Sequence, residues 1–182
     1  MPAAPAHRDE PRRLASLHEL DVDATSADVE LRALATDAAR ALGMPAALIS
    51  MVDGDRQWFA ARRGLGGVIG YDVAQTPREV SFCAHVVAAE HAIAVPDATH
   101  DQRFADNALV TGPEHLRAYA GAPILDGDGL PLGALCVLDR EPRDLDETAL
   151  AVLGELAASV SEVLRRHRSP RGGATGGPDR RA

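Results

Sequence analysis

The sequence predicts an α+β domain in which helices pack on the faces of an antiparallel sheet. Two apolar segments, residues 118–125 and 132–138, flank the tetrapeptide D-G-D-G at 126–129, which is a strong signal for a β-hairpin. The strand-like segments do not alternate regularly with helices, as they would in a parallel sheet. Helical segments stand near both ends of the chain, which with 182 residues is long enough to bury one core.

Two helices are predicted before the first strand. Residues 1–10 are expected to be a disordered leader, and residues 11–20 a short helix with three leucines on one face. Thr25 and Asp28 match the spacing of a capping box at the start of a longer helix. Its apolar residues keep helical spacing until Gly43, where the helix is expected to end.

A strand, a turn and a second strand are predicted next. Residues 46–52 are continuously apolar, and residues 57–63 follow the turn at 53–55. Residues 64–70 are rich in glycine but miss the dinucleotide-binding fingerprint, because Ile69 occupies the third position. A flexible loop is therefore expected there.

The middle of the chain combines a helix, a strand and a loop. Ser81 is a suitable N-cap for a helix that runs to about residue 89, and residues 92–95 form a short strand. Residues 97–107 are expected to be a loop, because its Asp and Asn side chains can form local turns.

The last predicted helix is long and amphipathic, and it covers residues 146–167. The single folded domain is therefore expected at residues 11–167, and residues 168–182 are expected to be a disordered tail of glycine, proline and arginine. Five apolar residues of the helix approximate a heptad seam, which predicts a homodimer through the terminal helices. They are Ala149, Val152, Leu156, Val160 and Val163.

Composition excludes several classes of function. The net charge of −8 disfavours nucleic acid as a partner, because phosphate binding requires a basic field. No apolar run of about eighteen residues is present, so no membrane span is predicted. The N-terminus has no apolar signal region, and a cytoplasmic location is expected. All 19 basic residues are arginine, which excludes a Walker A loop and a lysine Schiff base.

Residues 81–123 concentrate polar and aromatic side chains between segments rich in alanine, leucine and valine. All of the chain's aromatic residues lie between positions 58 and 119, and two interpretations are open: a pocket or a tight core. The six are Trp58, Phe59, Tyr71, Phe82, Phe104 and Tyr119.

The two cysteines also allow alternative interpretations. Cys83 falls in the first turn of the predicted helix, where the helix dipole can activate a thiol, but a buried apolar thiol is the commoner case. Cys136 lies in an apolar strand, where core packing is favoured. A disulfide between them requires the fold to bring them together, and a cytoplasmic setting disfavours it.

The remaining polar residues give no positive sign of catalysis. The histidines lack metal-ligand spacing. Asp97, Asp101 and Asn107 are expected to form turns, and Arg103 is expected to pair with Asp101 and Asp106.

Six segments together resemble the GAF domain, in the subtype found at the front of bacterial histidine kinases and diguanylate cyclases. The likeness covers about residues 11–167. The segments are 55–59 (D-R-Q-W-F), 81–85 (S-F-C-A-H), 95–98 (V-P-D-A), 101–110 (D-Q-R-F-A-D-N-A-L-V), 119–124 (Y-A-G-A-P-I) and 132–143 (L-G-A-L-C-V-L-D-R-E-P-R).

The resemblance implies a sheet of five to six strands, with terminal helices on one face and a pocket-forming helix and loops on the other. GAF domains bind cyclic nucleotides, bilins, haem or other small ligands. Bilin-binding members carry a histidine directly after the cysteine, whereas Ala84 separates Cys83 from His85 here. Reductases of free methionine sulfoxide carry a set of reactive cysteines, and this chain has 2.

We therefore expect a stand-alone sensory or regulatory module in signal transduction that is not an enzyme. Its partners would be a small molecule of unknown identity, a second copy, and a separate kinase or cyclase, with cofactors unknown. The alternatives are a thiol-based redox enzyme or sensor using Cys83, and a structural dimerisation module with a vestigial pocket. The expected ligand-binding residues are Trp58, Phe82, Cys83, His85, Asp97, Asp101, Arg103, Phe104, Asn107 and Tyr119.

Overall fold

The computed structural model of the protein describes residues 6–20, 25–68 and 73–167. Its strands are β1 (Ala46–Val52), β2 (Arg56–Arg63), β3 (Gln75–Pro77), β4 (Ile93–Val95), β5 (Ala118–Leu125) and β6 (Pro131–Asp139). They form a single six-stranded antiparallel sheet in the order β3-β2-β1-β6-β5-β4. This architecture confirms the predicted α+β class.

The helices divide between the two faces of the sheet. They are α1 (Glu10–His18), α2 (Thr25–Ala41), α3 (Phe82–Ala89), α4 (Ala108–Thr111) and α5 (Glu147–Arg166). Helices α1, α2 and α5 cover one face, where Leu17, Leu31 and Leu153 are buried in a common cluster. Helix α3 and the loop after β4 cover the other face, and Phe82 and Phe104 are buried there.

Strand β1 is apolar except for Ser50, because successive side chains face two covered faces of the sheet. Ile49 and Met51 face the terminal helices, whereas Leu48 and Val52 face α3. Every residue of β1 is buried, because both faces of this central strand are covered. Strand β6 is buried along its whole length for the same reason.

Two short elements were not predicted from the sequence. Strand β3 has three polar or proline residues, which is typical of a sheet edge, where proline does not interrupt hydrogen bonding. Helix α4 is a single turn that begins after Asn107, where the predicted loop ends. Both are too short to produce a periodic apolar pattern.

The glycine-rich segment begins with a turn that requires glycine. Gly64 has a φ of 70°, and a Cβ atom there would lie 1.9 Å from the carbonyl oxygen of Pro45. Residues Leu65–Gly67 then form a 3₁₀ turn. The remainder of the predicted loop and the side chains of Thr25 and Asp28, which carry the predicted capping box, lie outside the described residues.

The expected disordered leader is wrong for residues 6–10. His7 is buried, and its Nε2 lies 3.0 Å from the carboxylate of Glu90 at the end of α3. Glu10 opens helix α1. No apolar pattern marks these residues, because polar side chains such as His7 and Glu10 make their contacts. Residues 1–5, like the predicted tail at 168–182, lie outside the described residues.

A cluster of three charged residues attaches α1 to the sheet. Arg13 is fully buried; it donates from Nη1 to the carbonyl oxygen of Val52 at 2.6 Å and from Nη2 to Glu10 at 2.7 Å. Arg78 pairs with the same carboxylate and donates to the carbonyl oxygen of Asp53 at 2.9 Å. Glu10 therefore balances two guanidinium groups at the end of β1.

The apolar seam predicted on the last helix largely serves the domain's own core. Val160 and Val163 are buried beneath α5, and Leu156 packs against the same cluster. Ala149 and Val152 are half-buried. A coiled coil on all five positions would have to expose this core. The homodimer stays a prediction, but it cannot use the seam as proposed.

The charge cluster predicts an acid-sensitive stability. Burial alone would raise the pKa of Glu10, but hydrogen bonds and charges from Arg13 and Arg78 outweigh burial and lower that pKa to about 2. In the unfolded chain the carboxyl protonates near its ordinary value of 4.5. Its stabilising contribution is therefore complete above about pH 4.5 and is lost as the pH falls towards 2.

We expect Glu10→Gln to lower the free energy of unfolding at pH 7 by roughly 3–5 kcal/mol, because two guanidinium groups lose their counter-charge. The variant should also lose less stability than the wild type between pH 4.5 and 2. Urea denaturation across this pH range measures both effects. The matched control is Glu30→Gln, whose pair with Arg166 is exposed and should contribute about 0–1 kcal/mol. Equal losses in the two variants would contradict the role given to Glu10.

Candidate functional site

Helix α3 is fixed at both ends by local interactions. The Oγ atom of Ser81 accepts a hydrogen bond of 3.0 Å from the amide of Ala84, which confirms Ser81 as the N-cap. At the other end Glu90 adopts the left-handed conformation with a φ of 59°. The helix thereby presents Phe82 and Cys83 to the sheet, where both are buried.

Three aromatic rings and one imidazole meet beneath α3. Phe82 stacks on Phe104 with ring centroids 3.9 Å apart and an interplanar angle of 8°. Tyr119 of β5 lies 5.2 Å from Phe82, and the ring of His85 meets Phe104 edge-on at 4.7 Å. Phe82, Phe104 and Tyr119 are at most 3% exposed. For these three rings the structure favours the tight core over an open pocket.

The loop between β4 and α4 is shaped by its own polar side chains. Asp97 accepts hydrogen bonds from the amide and hydroxyl of Thr99 at 3.0 and 2.7 Å, which lower the pKa of Asp97. Asn107 caps α4 by accepting from the amide of Leu109 at 2.9 Å. Its Nδ2 donates to the carbonyl oxygen of Val80 at 3.1 Å, which ties the loop to the segment before α3. These residues position the loop, as predicted for turn formers.

Arg103 lies at the rim of this arrangement. Its Nε and Nη2 atoms donate to the two carboxylate oxygens of Asp101 at 3.0 and 2.6 Å. The pairing raises the pKa of Arg103 and lowers that of Asp101. The guanidinium carbon lies 5.0 Å from the centroid of Phe104, within cation–π range. Asp106, the second expected partner, is exposed, and the described ion pair is with Asp101.

His85 is the half-buried member of the group. Burial, and then the positive charge of Arg103, lower the pKa of the imidazole. The ring is therefore neutral at pH 7, with one donor and one acceptor nitrogen. Residues 95–97 and 100–103, which include Arg103 but not His85, line an open depression of about 690 Å³.

Trp58 is not part of this group, although the sequence analysis placed it there. Its indole packs against the cluster under the terminal helices, on the opposite face of the sheet. Gln57 and Phe59, its neighbours in β2, lie on the α3 side, because adjacent side chains of a strand point to opposite faces. Proximity in sequence to other aromatic residues was therefore misleading.

Sequence reasoning missed a buried polar network next to Cys83. The hydroxyls of Ser50 and Ser81 donate to Oε1 of Gln57 at 2.9 and 2.6 Å. Nε2 of Gln57 donates to the hydroxyl of Thr76 at 2.7 Å. The sequence signal was Ser50, the one polar residue within the apolar run of residues 46–52.

The two cysteine sulfurs meet inside the same face. Sγ of Cys83 lies 3.6 Å from Sγ of Cys136 and 3.3 Å from the hydroxyl of Tyr119. The fold thus meets the condition that the sequence analysis set for any link between them. In the parts of the chain that the structure describes, no group of three metal-binding side chains is present. No helix there is long and apolar enough to cross a membrane.

Comparison with known proteins identifies the family. The sequence profile of the GAF domain matches residues 26–164. The chain therefore belongs to the GAF domain family, which confirms the resemblance seen in the sequence.

One relative shares most of the chain. A cyclic di-GMP phosphodiesterase of Pseudomonas aeruginosa is 41% identical over 170 residues, which are 93% of this chain and 28% of the relative. This chain thus spans less than a third of that protein's length.

Solved structures confirm the fold. The GAF domain of an Acinetobacter phosphoenolpyruvate-protein phosphotransferase has a TM-score of 0.61 at 19% identity, covering 86% of this chain and 92% of that one. The free methionine-R-sulfoxide reductase of Neisseria meningitidis, solved with its substrate, has a TM-score of 0.63 at 21% identity and covers 87% of each chain.

The site geometry predicts very different costs for two neighbouring truncations. Phe104→Ala should lower the free energy of unfolding by roughly 3–5 kcal/mol, because the ring is fully buried in the stack. Arg103→Ala should cost about 1 kcal/mol or less, because its side chain is 43% exposed. Chemical denaturation measures both. Similar losses would mean that the guanidinium is part of the core.

Proposed function

We propose that this GAF domain is a non-catalytic regulatory module of bacterial cyclic-dinucleotide signalling. The observation that carries the proposal is the 41% identity to a cyclic di-GMP phosphodiesterase over 93% of this chain. The matched segment is 28% of that protein, so the likeness concerns one module of a larger enzyme. Output would come from a partner domain or protein, such as a kinase, a cyclase or a phosphodiesterase.

The proposed ligand contacts lie at the edge of the aromatic stack. Arg103 keeps a half-exposed guanidinium there, 5.0 Å from the centroid of Phe104. The neutral imidazole of His85 lies 4.7 Å from the same ring. Together with the depression that Arg103 helps to line, these groups suit a small molecule with an anionic or carbonyl group. The site would be supported by the buried side chains beneath it, which are Phe82, Cys83, Phe104 and Tyr119. Its loop would be held by Asp97, Asp101 and Asn107. The proposal omits Trp58.

The character of these groups supports the proposal of a non-catalytic role. Asp97 and Asp101 are engaged with Thr99 and Arg103, and Cys83 is 3% exposed. Likeness to a reductase at 21% identity concerns the fold alone.

The proposed homodimer through the terminal helices now centres on α2. Val29 is 70% exposed on this helix, next to the pair between Glu30 and Arg166 of α5. We expect Val29→Glu to shift the protein to a monomer in light scattering without loss of melting temperature. A monomeric wild type at high micromolar concentration would contradict this dimer.

Ligand binding is tested by native mass spectrometry of protein purified from its own cells. We expect a bound small molecule whose affinity falls roughly 10- to 150-fold in His85→Ala with Arg103→Ala, as for a lost hydrogen bond to a charged group. Glu30→Gln serves as the control and should bind normally. A ligand that binds the double variant and the control equally would place the site elsewhere.

The regulatory role is tested by a chimera. This chain replaces the matched segment of the Pseudomonas aeruginosa phosphodiesterase, and the hydrolysis of cyclic di-GMP is measured. We expect the chimera to hydrolyse at a rate near that of the parent, and the His85→Ala, Arg103→Ala pair to change this rate. Equal rates in the chimera, in its variants and in a parent lacking the segment would contradict the proposal.

A further inference from the structure

The fold brings two distant thiols into contact. Cys83 lies in the first turn of α3 and Cys136 in the middle of β6, 53 residues apart in the chain, yet their sulfurs are 3.6 Å apart. Both are free thiols and both are buried. A disulfide has an S–S bond of about 2.0 Å, so joining them requires an approach of about 1.6 Å.

A hydroxyl donor lies beside the sulfur of Cys83. The hydroxyl of Tyr119 donates to this sulfur over 3.3 Å. The ring of Tyr119 extends along its own strand and over Gly121, where a Cβ atom would lie 2.2 Å from the tyrosine oxygen. The glycine in the motif Y-A-G-A-P-I thus leaves the space that lets Tyr119 reach Cys83.

This environment distinguishes Cys83 from an inert buried thiol. Burial in apolar surroundings raises the pKa of a thiol and makes it unreactive. Here the hydrogen bond that links Cys83 to Cys136 favours the thiolate of Cys83 most, burial opposes it, and the hydroxyl of Tyr119 adds a donor, so the pKa of Cys83 is lowered. The pKa of Cys136 is raised, because its proton is held in the bond to Cys83 and its surroundings are dry. One sulfur is thus prepared as nucleophile and the other as proton donor.

We propose that Cys83 and Cys136 form a redox modification site that hydrogen peroxide converts to a reversible intramolecular disulfide. The thiolate of Cys83 attacks one peroxide oxygen, the O–O bond breaks, and hydroxide leaves, giving a sulfenic acid on Cys83. The sulfur of Cys136 then attacks the sulfur of Cys83, the S–O bond breaks, and the leaving hydroxide takes up the Cys136 proton. Two thiols and one peroxide give one disulfide and two waters, so two electrons pass from sulfur to peroxide.

A small oxidant fits the surroundings of the pair. Cys83 is 3% exposed, which excludes a bulky substrate, so the oxidant must be close to water in size. The polar side chains Thr76, Gln57 and Ser50 form a hydrogen-bonded series from the edge strand towards this sulfur. The disulfide would join α3 to the central strand β6. This inference does not depend on the proposed ligand or on cyclic-dinucleotide signalling.

The test oxidises the folded wild type with micromolar hydrogen peroxide, followed by unfolding, alkylation of the remaining thiols, and mass spectrometry. We expect the loss of two hydrogen atoms, no alkylation, and a peptide that links Cys83 to Cys136 and separates on reduction. Two alkylated thiols, or over-oxidised Cys83 without the link, would overturn the proposal.

Single variants separate the two roles. Cys136→Ser should accumulate a sulfenic acid on Cys83 that a dimedone probe traps, whereas Cys83→Ser should leave Cys136 reduced. Trapping on Cys136 instead would overturn the assignment of the nucleophile. If a cysteine variant fails to fold, the wild-type crosslink still decides whether the site exists.

The hydroxyl donor is tested by rate. Tyr119→Phe keeps the ring and should slow the oxidation roughly threefold to tenfold, because the thiolate of Cys83 loses one hydrogen-bond donor. The matched control is Ser161→Ala, which removes a buried hydroxyl in α5 that donates to the carbonyl of Ala157. Equal rates in both variants would overturn the role given to Tyr119.

Discussion

The structure depends on one constraint: the central strands β1 and β6 are buried on both faces, so each face of the sheet must be covered. The terminal helices cover one face with leucine and alanine side chains. On the other face α3 has only eight residues, and it cannot cover the sheet alone. The loop after β4 completes the layer by inserting Phe104 against Phe82. A functional site on this face must therefore use the rim of a packed layer.

Polar groups on the α3 face are arranged to suit this packing. The charges of Asp101 and Arg103 stay at the edge, where water solvates them, while their backbone shapes the loop. The amide of Gln57 links the hydroxyls of Thr76, Ser50 and Ser81, and the two thiols contact each other and the hydroxyl of Tyr119. Because such groups are costly to bury without partners, each member restricts the positions of the others. The aromatic stack contacts the loop through Phe104 and the cysteine pair through Tyr119.

The sequence predicted the elements that carry strong local signals. The D-G-D-G hairpin, the N-cap Ser81 and the apolar strand β1 were all located closely, since turn chemistry and apolar runs act over a few residues. The face on which Trp58 lies depends on the register of β2 against β1, in which Trp58 pairs with Met51, and this pairing leaves no local pattern in the sequence. Contacts between distant residues, such as Glu10 with Arg78 or Cys83 with Cys136, leave no local pattern. The motifs of residues 81–124 indicated the region of the site, but the partition into core and rim required the fold.

The burial of Arg13 has a consequence for where this domain begins. The family profile starts at residue 26, yet the guanidinium that holds the end of β1 comes from α1, and its carboxylate partner stands at position 10. A fragment cut to the profile would keep Arg78 and lose the acid that neutralises it. The unit that folds is therefore longer than the segment that the family profile matches, and helix α1 belongs to the domain as fully as any strand.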